Sequence, residues 1–236
     1  IGGGLGLSLL FLRIGVFESG MFEKTKHENI SSGIKLLFTN KKLFLKYVYC
    51  VAIGLPVWFI IGIFVGRAPE IAKMLNINEP IQQSLCVSLC YTGLVFGDLC
   101  SGSISQLIRS RKKVLIIFYV LAITVLLTYV NAFAISSFWF YVLIFGLGFS
   151  VGFWAIFVTI ASEQFGTNIR ATSATTVPNL VRGSLIPIAM MFDFFRKSSD
   201  FWTATYLSAT IVFAITIWAW FKMEETFGKD LDYTEN

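Results

Sequence analysis

Six long apolar runs, separated by short polar segments, organise this chain. They extend from Leu43 to Gly66, Ser84 to Ile108, Val114 to Ser136, Phe138 to Ala161, Ser173 to Phe195 and Phe201 to Phe221. Bilayer hydrocarbon is about 30 Å thick and an α-helix rises about 1.5 Å per residue, so about 20 residues cross it. Every run reaches that length. Barrel strands alternate apolar and polar positions over about 10 residues, and these runs are longer and evenly apolar. Since a membrane admits only helices and closed barrels, the pattern predicts an all-α polytopic membrane protein with a six-helix bundle over residues 43–221.

The flanks read differently. Residues 1–12 are apolar and glycine-rich but too short to span. With no starting methionine and no basic leader they do not fit a signal peptide, and they are expected to be the end of an earlier transmembrane helix. Residues 13–42 form a polar linker, expected to be helical from Ser31 to Phe38. Asn29-Ile30-Ser31 matches a glycosylation acceptor that a cytoplasmic position would silence. The mixed-charge tail, residues 222–236, is expected to be ordered only near the membrane.

Composition agrees with the pattern. Charged residues are 14% of the chain and hydrophobic ones 56%, against about 25% charged in a soluble domain. The net charge of +5 comes from short loops. Fourteen of the nineteen lysines and arginines fall on one side of the alternating spans, which places that side in the cytoplasm. Nucleic acid is not an expected partner, because no basic aromatic surface or reading motif is present. Cys50, Cys86, Cys90 and Cys100 lie within apolar runs without a CxxC pair, and His27 is distant. They read as small packing residues rather than metal ligands.

Ionisable groups at membrane depth cost a few kcal/mol unless paired or hydrated. Asp98 lies about 16 Å into the membrane counted back from Arg109, and Arg182 about 18 Å counted forward from Arg170. The functional reading gives Asp98 a proton or the task of holding Arg182, and gives Arg182 an anionic substrate group. The alternative is a structural ion pair, or partners in a half of the protein outside this sequence. Gly93, Gly97, Ser101 and Ser105 form one stripe of small residues, and Gly148 and Gly152 another; both permit close helix approach. Pro56, Pro178 and Pro187 bend helices and free carbonyls. Trp139 and Tyr141 suit the interfacial belt, whereas Phe153 and Trp154 sit deeper, where they can either stack on a ligand or pack against lipid.

Charged residues at the helix ends form a pattern of their own. Arg109, Arg111, Glu163, Arg170, Glu224 and Glu225 all fall on the basic side, where they can form a network. The segment from Gly102 to Lys113, with Gln106, Arg109, Ser110, Arg111 and Lys112, resembles the glycine-and-basic loop of the major facilitator superfamily, although Gln106 stands where an aspartate is usual. Ser162 to Thr172, with Glu163, Thr167 and Arg170, resembles the glutamate–arginine motif of its sugar porters and metabolite–proton symporters. Glu225-Thr226-Phe227-Gly228-Lys229 resembles their acidic motif after the last helix, and Arg13 with Glu18-Ser19 the segment closing the amino half.

That resemblance implies a twelve-helix protein of two bundles, of which this chain is the end of helix six and helices seven to twelve. The partner is then an amino-terminal six-helix half. It implies alternating access around a central site, with Tyr47, Trp58, Phe153 and Trp154 facing the cavity. The expected substrate set is Arg182, Asn179, Trp154, Phe153, Trp58 and Tyr47, with Asp98 for the proton. The expected function is secondary transport of a small polar metabolite (organic anion, zwitterion or sugar), proton-coupled, in a bacterial inner membrane, with linker and carboxyl terminus cytoplasmic. The alternative is a sensor or receptor that keeps a transporter fold. Neither enzyme chemistry nor a cofactor is expected, since no carboxylates, serines or histidines cluster at membrane depth. A channel is disfavoured because no filter sequence is present.

Overall fold

The computed structural model describes residues 36–235. Residues 1–12, most of the linker and the Arg13 to Phe22 segment therefore lie outside the described residues. The helices are α1 (Lys41–Phe59), which continues into a π-helical segment (Ile60–Val65), α2 (Ala68–Met74), α3 (Gln83–Ile108), α4 (Arg111–Val130), α5 (Ser137–Ser150), α6 (Trp154–Glu163), α7 (Thr167–Gly183), α8 (Leu185–Ser198) and α9 (Phe201–Lys222). No strand is present among the described residues.

Five stretches are long and apolar enough to cross a bilayer: Lys41–Val65, Gln83–Ile108, Arg111–Val130, Ser137–Glu163 and Phe201–Lys222. The run expected over 173–195 differs. Its helix starts earlier, at Thr167, and breaks at Ser184 into α7 and α8. Pro187 has no N–H to give the Gly183 carbonyl, which interrupts the ladder there. The first half is also polar (Thr167, Asn168, Arg170, Thr172, Ser173, Thr175, Thr176, Asn179), so neither half alone has the length and apolarity of a span.

The connecting segments gather at two opposite ends. At one end Arg111 meets Glu163, and Lys46 meets the tail. At the other, Arg67 meets Asp193, Glu70 meets Arg196, and the Ala134 N–H donates to the Leu75 carbonyl at 2.8 Å. The tail is ordered against the first of these ends as far as Glu235. It folds back along the start of α7, where the Thr167 N–H donates to the Tyr233 carbonyl at 2.7 Å and Asn168 exchanges two 3.0 Å hydrogen bonds with Glu235. The unpaired N–H groups of a helix start explain why the strap lies there.

Two packing devices shape the interior. The small-residue stripes of α3 and α5 meet each other, backbone against backbone. A Cβ on Gly148 would lie 1.9 Å from the Cys90 carbonyl oxygen, and one on Gly152 would lie 2.4 Å from the Gly97 Cα. In lipid, where apolar burial drives nothing, such close approach is what holds helices together. The second device satisfies carbonyls within α1. Pro56 cannot donate to Ala52, and Thr216 of α9 does so instead at 3.0 Å. Tyr119 donates to the Ile53 carbonyl at 2.8 Å, and Tyr129 to that of Phe64 at 3.2 Å, beside the π-helical turn. A membrane leaves freed backbone groups no water, so side chains must serve them.

Gly148→Ala is expected to lower stability by about 1–3 kcal/mol, the usual cost of overpacking, read as a lower Tm in detergent. Gly102→Ala, where an added Cβ meets nothing within 4 Å, is expected to be neutral or to stabilise by up to about 1 kcal/mol.

Candidate functional site

The fourth span is not continuous. It breaks at Val151-Gly152-Phe153 between α5 and α6, where Gly152 is pressed against Gly97. The α6 helix therefore starts inside the membrane with unpaired N–H groups. Phe153 supplies no cap. Asp98, the residue after Gly97, does so from the neighbouring helix: it accepts from the Ala155 N–H at 3.0 Å and also from that of Trp154. A carboxylate at a helix start is favoured both by these bonds and by the helix dipole.

Arg182 reaches the same place from α7. Its guanidinium lies 5.2 Å from the Trp154 ring centre, a cation–π contact, and its Nη1 donates to Asn179 at 2.9 Å. Asp98 thus meets the backbone at the start of α6 and Arg182 meets the Trp154 ring, and the two do not pair with each other among the described residues. No carboxylate pairs with Arg182 among the described residues. Trp58 packs edge-on against Trp154 at 6.5 Å, and its indole N–H is buried with no partner among the described residues. Val57, Trp58, Ile61, Tyr91, Trp154 and Arg182 line a cavity of ≈170 Å³.

The outward face of α7 is polar. Thr175, Thr176, Asn179 and Arg182 are exposed and recur at helical spacing. Thr175 and Thr176 turn their hydroxyls back to carbonyls one turn earlier, and Asn179 donates to Thr175. What remains outward is the arginine charge and hydroxyl lone pairs.

Two members of the expected substrate set sit elsewhere. Phe153 is fully buried behind the break, 5.3 Å from the Tyr119 ring and 6.3 Å from Phe118; the break turns it toward α4 and away from the cavity. Tyr47 is buried against α7, its hydroxyl donating to Thr176 at 2.7 Å. It reaches the polar face only by that hydroxyl.

The six residues of the expected charge network do not form a single network. Arg111 pairs with Glu163 through two hydrogen bonds, at 2.8 and 3.0 Å, and its third nitrogen reaches Ser105 at the end of the α3 small-residue stripe. Glu225 caps α4, accepting from the Ser110 hydroxyl and from the N–H groups of Arg111 and Lys112. Burial alone would raise the Glu225 pKa, but the hydrogen bonds from Ser110, Phe227, Arg111 and Lys112 outweigh it and hold it below the ordinary value. Arg170 does not pair with Glu163; it donates to the carbonyls of Phe165 and Leu231 and so anchors the tail. Glu224 makes a loose 3.8 Å contact with Lys229. Arg109 is exposed, in a left-handed conformation that ends α3, with no ion pair among the described residues.

At the opposite end lies a pair of contacts that the sequence reading missed. Arg67 grips Asp193 through two bonds, at 2.6 and 2.9 Å, and lies over the Phe192 ring; Arg196 pairs with Glu70. Together they latch α2 to α8. The one signal in the sequence is that Asp193 stands three residues before Arg196, near the end of its apolar run.

Asp98→Ala is expected to cost about 1–2 kcal/mol through loss of the cap, and Asp98→Asn much less, because Asn caps equally well; thermal unfolding of the two variants in detergent measures the difference. Glu225 stabilises fully above the ordinary glutamate pKa of about 4.3 and loses that contribution as pH falls through its lower folded value. Tm measured from about pH 5 down to pH 3 is therefore expected to fall less steeply in Glu225→Gln than in the parent.

No family model matches this sequence, and no curated protein and no solved structure matches it either.

Proposed function

We propose that this chain is the carboxyl-terminal half of a transporter of the major facilitator type, moving a small polar metabolite with an anionic group by alternating access, with a proton as the coupling ion. The observation that carries the reading is the polar face of α7. Lipid is a costly surrounding for Arg182, Asn179 and two threonines at membrane depth, so this face belongs against a water-filled path. Arg182 without a carboxylate and the Trp58 N–H without an acceptor leave two donors beside one cavity, a pairing suited to an anionic oxygen. That cavity is smaller than the usual ligand pocket of about 300–1,000 Å³, as one wall of a site shared between two halves would be.

In this reading α7 and α8 together make the fifth of six crossings. The exposed apolar residues of α3 (Val95, Phe96, Leu99) and of α8 (Ile186, Met190, Phe194) face the amino-terminal half or lipid. The basic end is cytoplasmic, in keeping with a bacterial inner membrane. The Arg111–Glu163 pair, the Glu225 cap and the Arg67–Asp193 and Glu70–Arg196 pairs all join elements of this one bundle, so they keep it rigid while it rocks. Arg109, which makes no ion pair within the described residues, is left to contact the other half. Asp98 is the proton-binding group, because its protonation would weaken the cap on α6 beside the cavity.

Uptake by the full-length protein in proteoliposomes, with and without a proton gradient, tests this. Losing a charged hydrogen bond costs about 1.5–3 kcal/mol, so Arg182→Ala is expected to weaken apparent substrate affinity about 10- to 100-fold at unchanged Tm. Uptake retained at a lowered Tm would make Arg182 a structural residue. Gradient-independent uptake would remove the proton, and binding without uptake would make the protein a sensor.

A further inference from the structure

At the basic end, the first and last spans leave a cleft between them. It has a volume of ≈150 Å³ and is lined by Lys42, Lys46 and Tyr49 of α1, by Lys222 of α9, and by Glu224. Three lysines share this small space. Lys46 bonds the Gln164 carbonyl at 3.1 Å and the Glu235 carboxylate at 3.3 Å. Lys42 and Lys222 have no ion pair among the described residues, and Glu224, the one anion in the lining, inclines toward Lys229. The cleft therefore keeps a net positive charge. The first turn of α1 carries no acidic residue, so its lysines stand at the positive end of a helix dipole, where an anion is favoured and a cation is not.

The spacing gives this charge a direction. Lys42, Lys46 and Tyr49 lie on one face of α1, at steps of four and three. Lys222, Trp218, Ile215 and Ile211 lie on one face of α9. The two faces touch through Tyr49 and Trp218, 5.2 Å apart and edge to face. Trp218, Ile215 and Ile211 are exposed on the outer surface of a membrane-crossing helix. From the end inward the order is thus ammonium groups, an aromatic pair, then an open apolar stripe. That is the order of phosphate, interfacial layer and acyl chain in a phospholipid.

We propose that this cleft is a binding site for one anionic phospholipid, its phosphate held by Lys42, Lys46 and Lys222 and its acyl chain along Trp218, Ile215 and Ile211. The site rests on the membrane placement of α1 and α9 and not on the transport reading. A free phosphate shares the headgroup chemistry but has no use for the apolar stripe, which is why the lipid is the occupant.

Native mass spectrometry of the detergent-purified full-length protein, titrated with phosphatidylglycerol, phosphatidylcholine or inorganic phosphate, tests the site. Phosphatidylglycerol is expected to be retained over phosphatidylcholine. The double variant Lys42→Gln/Lys222→Gln, which leaves the tail contact of Lys46 intact, is expected to lower that retention about tenfold or more. The double variant Lys73→Gln/Lys197→Gln, which removes equal charge at the opposite end, is expected to leave it unchanged. Equal loss in the two double variants, or no loss in the first, overturns the site. Displacement of the lipid by an equal concentration of inorganic phosphate overturns the lipid as its occupant.

Discussion

The contact between the backbones of α3 and α5 is the constraint on which the candidate site depends. Gly93, Gly97, Gly148 and Gly152 have no side chains to hold the two helices apart, and a Cβ at any of them would overlap main-chain atoms of the other helix. This closeness places Asp98, one residue beyond Gly97, within hydrogen-bond reach of the backbone of Trp154 and Ala155. The break in the fourth span is tolerable because of that reach: a helix start inside a bilayer has no water to serve its N–H groups. The break in turn sets the direction of Trp154, and Trp154 is the surface on which Arg182 rests. Small residues at one interface thus determine where a charge sits on another helix.

Polar groups elsewhere obey the same rule. Thr216, Tyr119 and Tyr129 each donate to a carbonyl of the first span at or near its proline or its π-helical turn. The tail donates and accepts at the start of α7, and Glu225 serves the start of α4. In each case an irregular stretch of backbone is completed by a residue distant in sequence. These repairs tie distant parts of the bundle together in addition to its apolar packing.

Five of the spans were legible in the sequence because transfer of an apolar run out of water dominates every other local term. The break at Ser184 was less legible. Averaging over 173–195 let the apolar α8 conceal the polar start of α7, and Pro187 read as a bend rather than an end. Asp98 and Arg182 stood out by their depth alone, yet their partners did not. The donors to Asp98 are backbone N–H groups freed by a break that no proline announces, and they come within reach only because α3 lies against them. Phe153 looked equivalent to Trp154 by composition; one residue of altered backbone separates a core ring from a cavity ring. The tail gave no periodic signal, since its bonds go to a main-chain carbonyl and a side-chain amide 69 and 67 residues upstream.

The wide turn at Ile60–Val65 lies between Trp58, which lines the cavity, and Arg67, which anchors the far end. A π-helical turn holds one residue more than an α-helical one, so everything beyond it is rotated by about 100° relative to an unbroken helix. The first span therefore presents Arg67 to Asp193 from a face that an unbroken helix would turn elsewhere, and the clamp at the far end of the bundle depends on that offset.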